Sequence, residues 1–183
     1  WFGFYRFEDF SGIDSGHFAD FTDDLKADLY EESIRFFEYI VTEDRPVDDV
    51  LFADYTFLNV ELAKHYNIPF ESGSKSPKEF QLVNGMRAFN RGGLLQQGTI
   101  LAATSAPLRT SAVKRGDWVL RRILDTPTPP PPADAGSIPA EEVLADGLTV
   151  RQRLEAHRRD VSCINCHTRI DPLGFALENF NPL

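Results

Sequence analysis

The sequence predicts a mainly α-helical protein with long loops and a polyproline segment. Apolar residues recur at spacings of three and four over several long stretches, runs with strand character are scarce, and T-P-T-P-P-P-P-A-D-A-G (126–136) admits neither helix nor central strand. With 183 residues there is room for one large domain or two small ones, and a hydrophobic share of 42% is ample for a packed core. Fifteen phenylalanines against one methionine imply an interior filled by large, rigid side chains. The net charge of −9 argues against nucleic acid and anionic membrane as partners, since both reward positive patches. Carboxylates dominate between Glu8 and Glu61, whereas the stretch from Arg87 to Arg122 is rich in cations.

The elements follow in order. Phe18, Phe21, Leu25, Leu29, Phe36, Phe37 and Ile40 predict an amphipathic helix, one long or two abutting, over 18–43, ended by Pro46. A second helical pattern covers 47–66, with Val50, Leu51, Tyr55, Leu58, Leu62 and Tyr66 on one face and Asn67-Ile68-Pro69 as its break. Ser76-Pro77-Lys78-Glu79 has the spacing of a capping box with proline in the first helical position. Gly92-Gly93 breaks the chain, and 94–104 mixes its signals. Val113, Trp118, Val119 and Ile123 are the expected buried set of a helix over 113–124. The polyproline stretch reads as a rigid connection or a strap. Thr149-Val150-Arg151-Gln152 opens a helix through His157, a short helix carries Cys163 to Arg169, and another is expected over 172–180, with a tight turn near Pro172 and Gly174. No run of about 18 apolar residues is present, so no membrane span is expected. The opening W-F-G-F-Y-R-F lacks a starting methionine and a charged leader, which reads as a piece of something longer.

The chemistry concentrates in Cys163-Ile164-Asn165-Cys166-His167, which holds both cysteines of the chain. Two thiols three positions apart on a helical turn can reach the two vinyl groups on one porphyrin edge, and the next residue sets its imidazole beneath the iron, the arrangement for covalent attachment of a c-type heme. Three other chemistries compete. A structural zinc site needs four ligands, and with no second C-x-x-C it would have to recruit His157 and His167. A thioredoxin-type dithiol needs a preceding strand and a parallel sheet. A disulfide across so short a loop is strained in most backbones. Heme attachment carries most of the weight.

Several strings then resemble one group in the same order: A-D-Y-T-F-L-N (53–59), R-G-G-L-L-Q-Q-G (91–98), V-K-R-G-D-W-V-L (113–120), T-P-T-P-P-P-P (126–132) and C-I-N-C-H-T-R-I-D-P-L-G-F-A-L-E-N-F (163–180). From about Asp20 onward the chain resembles planctomycete-type secreted cytochrome c proteins, which carry tandem domains of unknown function. The resemblance implies a helical region over 1–90, the end of a preceding domain, and a helical c-type cytochrome-like heme module over 91–183 strapped by 126–136. It further implies an exported protein, periplasmic or extracellular, holding one covalent heme c and working in electron transfer or an oxidation linked to it. A redox partner protein or other heme subunits, as part of a larger complex, are the expected partners.

On this reading Cys163 and Cys166 form the thioethers and His167 is the proximal ligand. For the sixth position the candidates are His65, on the buried side of its helix, Met86, or none. Arg109, Lys114 and Arg115 are candidate partners for heme propionates, or plain surface cations. An electron carrier is the first expectation, because no catalytic acid–base pair stands out. The others are a heme enzyme, peroxidase-like or a heme-coupled oxidase with an open distal site, and a module that heme merely staples together.

Overall fold

The computed structural model describes residues 1–73, 76–131, 152, 155 and 161–180. The described chain is mainly helical, with a single two-stranded sheet, and divides into two compact units. The first comprises Gly3–Ser11 and Ser15–Ala103; the second comprises Trp1–Phe2, Gly12–Asp14 and Thr104–Pro182. No described helix is long and apolar enough to cross a membrane.

The first unit is organised on α1 (Asp23–Thr42). This helix begins later than its apolar period implies, because the Thr22 side chain accepts a hydrogen bond from Leu25 N and so caps it, with Phe18 and Phe21 left in the approach. Leu25, Leu29, Phe36 and Ile40 form the buried stripe, and Phe36 and Ile40 pack with Ala53 and Tyr55. Each such side chain contributes about 1.5–3 kcal/mol by leaving water.

The helix expected over 47–66 is three elements. A turn of helix, α2 (Asp49–Phe52), leads into strand β1 (Tyr55–Leu58), and α3 (Val60–His65) follows, capped by Asn59 through Leu62 N. Tyr-Thr-Phe-Leu is aromatic and β-branched, and it pairs antiparallel with β2 (Gln81–Asn84), Tyr55 facing Asn84 and Leu58 facing Gln81. The capping-box pattern at Ser76 makes only a turn before β2. A pair of strands this short is not stable alone; β1 packs on α1. A 3₁₀ turn at Met86–Phe89, the Gly92-Gly93 breaker with positive φ at both residues, a second 3₁₀ turn at Leu94–Gln96 and α4 (Gly98–Ala103) complete the unit.

The second unit is built on α5 (Ala112–Arg122) and α6 (Val161–Ala176). The buried face of α5 is Ala112, Arg115, Gly116, Val119 and Leu120, so Val119 alone of the four expected residues is fully buried. Small residues displaced the larger ones because the helices touch backbone to backbone. A Cβ on Gly116 would stand 2.1 Å from the Ile170 carbonyl oxygen, and one on Gly174 would stand 1.8 Å from that of Ala112. Helix α6 is a single element where two short helices were expected, and it runs through Pro172 without the expected turn. Thr128, near the start of the polyproline stretch, is stitched to α5, its hydroxyl donating to Asp117 Oδ1 at 2.5 Å and its carbonyl accepting from Arg121 Nη2. The rest of that stretch, 132–136, and the expected helix at 149–157, apart from helical Gln152 and Glu155, lie outside the described residues.

In an ordinary helix interior Gly→Ala adds up to about 1 kcal/mol of stability. Gly174→Ala is expected to do the reverse, lowering stability by about 1–3 kcal/mol as the helices are forced apart. Urea unfolding followed by circular dichroism measures it, and an unchanged or higher midpoint would contradict the close contact.

Candidate functional site

Cys163, Cys166 and His167 stand at positions one, four and five of a stripe that continues through Ile170, Asp171, Gly174 and Leu177. This spacing puts them on one helical face. It is the inward face of α6: Cys163, Ile170, Asp171 and Leu177 are buried, Cys166 and His167 are half-buried, and Ile164, Asn165, Thr168 and Arg169 are exposed. Neither cysteine is in a disulfide.

His167 Nδ1 lies 2.8 Å from Oδ1 of Asp171, one turn further along, and the Asp171 side chain is 0% exposed. A carboxylate only accepts, so the shared proton belongs on Nδ1 and the lone pair on Nε2. Nε2 is thereby the nitrogen available to a metal. This is the orientation that ligating histidines take when a second partner holds the ring. The chemistry of the donor set therefore fits a heme: two thiols outside any disulfide and one oriented imidazole on a common face. Among the described residues no group of three or more His, Cys, Asp or Glu gathers to hold a bare ion, and His157 lies outside them.

The cation candidates have other work. Arg115 is 1% exposed, and its Nη1 donates to the carbonyls of Leu177 at 2.6 Å and Phe180 at 2.8 Å and to Glu178 Oε1 at 3.1 Å. Thr110 donates to the other oxygen of Glu178. Burial holds the Arg115 guanidinium below its ordinary value, with Glu178 pulling the other way. It is a clamp on the segment after α6, and neither a solvated cation nor a hand for propionates. Arg109 is also buried and donates to Thr110 O, and Lys114 donates to Ser105 O at 2.8 Å.

Both candidates for the sixth ligand belong to the first unit. Met86 is fully enclosed there, while His65 ends α3 half-buried beside Tyr66. Burial, with the nearby Arg91 charge, holds the His65 imidazole below its ordinary value; Asp20 opposes them.

A second polar centre escaped the reading by motif. Glu32 is 2% exposed on α1, and it accepts from Thr56 Oγ1 at 2.6 Å and from Tyr66 OH at 2.5 Å. Tyr66 OH in turn accepts from Gly98 N, and the Arg91 guanidinium lies 3.5 Å over its ring. A cavity of about 10 Å³, room for about one water, is lined by Glu32, Thr56, Met86, Arg91 and Gln97 among others. The Gln97 Nε2 is buried without a hydrogen-bond partner. The signal was present, since Glu32 falls on the same helical stripe as Leu25, Leu29 and Phe36, with Asp28 and Ser33 as further polar residues of that buried face.

A family model described as a protein of unknown function, DUF1588 (PSCyt3), matches residues 91–183. The chain belongs to this family. A second model, also described as a protein of unknown function, DUF1592 (PSD4), matches residues 1–68. No curated protein and no solved structure matches the chain. In this DUF1588 member the family match takes in both the α5–α6 pair and residues 91–103, which pack within the first unit.

Burial pushes the Glu32 carboxyl up to about 7 from its ordinary 4.5, against the hydroxyls of Thr56 and Tyr66 and the charge of Arg91, which pull it down. The folded state therefore holds a proton that the unfolded chain releases between those values. Stability falls as pH rises through this window, by roughly 3 kcal/mol once it is crossed. Glu32→Gln keeps the neutral shape and removes the slope. Urea unfolding at pH 5 and pH 8 is expected to show the variant gaining on the wild type at the higher pH; a pH-independent difference would contradict a proton held at Glu32.

Proposed function

We propose that the second unit attaches one heme c covalently through Cys163 and Cys166, with His167 as proximal ligand, and passes electrons within a larger exported redox protein or complex. The observation that supports this reading is the common face of α6, which carries two cysteines outside any disulfide and an imidazole with its Nδ1 already engaged. Heme supplies reversible one-electron chemistry when bound. The residues of the chain supply everything else: Cys163 and Cys166 fix the porphyrin edge, His167 presents Nε2, and the α5 contact holds their helix still. For the sixth ligand the proposal keeps His65 first and Met86 second, as the sequence suggests. Attachment of this kind takes place outside the cytoplasm, which sets the proposed location in the periplasm or at the outer surface.

A heme enzyme with an open sixth position is the second reading. The His167–Asp171 pair favours it in one respect, since a strongly electron-donating proximal ligand also serves peroxide chemistry. The two readings differ in the spectrum: a six-coordinate carrier gives a sharp reduced alpha band, an open site a broad high-spin one.

The deciding experiment is expression with export in a host that matures c-type cytochromes, followed by a pyridine hemochrome assay and a denaturing gel stained for heme. One heme per chain, surviving denaturation and lost in Cys163→Ser/Cys166→Ser, is the expected result. A protein that folds in that host with no covalently held heme would overturn the proposal.

A further inference from the structure

Asp171 is a carboxylate with no exposed surface, and a group of that kind is costly to bury unless it is met by a strong donor. His167 Nδ1 is such a donor at 2.8 Å, on the same helix and the same inward face. An i,i+4 pair of this type on a wet surface would contribute a few tenths of a kcal/mol and mean little. Here the low local dielectric strengthens the hydrogen bond and leaves the carboxylate charge unscreened by water at the ring.

We infer that Asp171 is a positioning residue that polarises the His167 imidazole through Nδ1 and thereby lowers the reduction potential of the bound heme. The inference rests on the heme reading above. A negative oxygen on Nδ1–H makes Nε2 a stronger electron donor, which favours the ferric over the ferrous state. With heme bound, its one-electron change of state would be supplied by the redox partner protein; the Nδ1 proton would stay on the His167 ring in both states, so no proton or leaving group would be exchanged. The same hydrogen bond fixes the ring plane, and α5 in turn fixes Asp171. Gly174, three residues on, closes against Ala112, and Ile170, one residue before, closes against Gly116.

The test uses the exported, heme-loaded protein. Asp171→Asn keeps an oxygen that can accept from Nδ1 and removes the charge, with the second oxygen becoming an amide NH2. Spectroelectrochemical titration is expected to show the ferrous state favoured by tenfold to a hundredfold, an upward shift of about 59 mV for each factor of ten. Asp171→Glu, which restores the charge, is expected to recover part of the shift. An unchanged or lowered potential in a folded, heme-loaded Asn variant would overturn the inference and leave the heme reading standing. Where the variants do not fold, the wild type decides alone. With nitrogen-labelled histidine, the reduced protein is expected to show an exchange-protected His167 Nδ1 proton, and a freely exchanging one overturns the inference. Wild-type protein without covalent heme overturns both.

Discussion

Two glycines set the geometry on which the second unit depends. Gly116 and Gly174 let α5 and α6 approach until carbonyl oxygens of one helix stand where a side chain of the other would begin. At that separation the rotation of α6 is fixed, because only its small-residue stripe can face α5. The same stripe, followed towards the N-terminus, carries Asp171, His167, Cys166 and Cys163. The orientation of the cysteine motif is thus decided by packing 11 residues away from Cys163, at Gly174, and the motif is presented on a rigid element rather than a loop. The Arg115 clamp completes the arrangement by holding Leu177, Glu178 and Phe180 after the helix ends.

The two units meet the same electrostatic difficulty in different ways. In the first, Glu32 is buried among neutral hydroxyls, and the carboxyl responds by keeping its proton up to about 7. In the second, Asp171 is buried against an imidazole N–H. The acid and its two hydroxyl partners join α1, β1 and the C-cap of α3 through three side chains. A carboxylate against a ring nitrogen acts on whatever the other ring nitrogen touches. Burial is equal in the two cases, and the partner decides the consequence.

Where the sequence spoke through repetition it was legible. The Leu25–Leu29–Phe36–Ile40 stripe announced α1, and the helix expected from Cys163 to Arg169 lies within α6. Competing signals were read less well. Residues 47–66 satisfy a helical period, yet Tyr55–Leu58 is a strand because a partner 26 residues further on, Gln81–Asn84, offers backbone hydrogen bonds that no local pattern reveals. Pro172 reads as a helix break, since it lacks the N–H that would bond the Thr168 carbonyl; the helix continues because residues on both sides of it are held against α5. The buried face of α5 was misjudged for a related reason. Hydrophobicity points to Trp118 and Ile123, whereas backbone contact selects Gly116 and Ala112. Asp171 sits in the string that resembles secreted cytochromes, but its role needed the hydrogen bond to be seen.

Stability alone gives a poor account of the His167–Asp171 pair. Replacing a buried polar or ionic pair with well-packed apolar residues is often neutral or stabilising, since the desolvation cost offsets most of the attraction. Position 171 lies between Ile170 and the Gly174 contact, where a leucine would bury more apolar surface at no such cost. Helix α6 instead encloses a carboxylate completely and aims it at Nδ1 of the ring. The surrounding stripe also holds the two cysteines, neither in a disulfide. A completely enclosed carboxylate that orients one imidazole points to a demand on that imidazole, and under the proposed reading heme ligation is a demand that uses all four residues together.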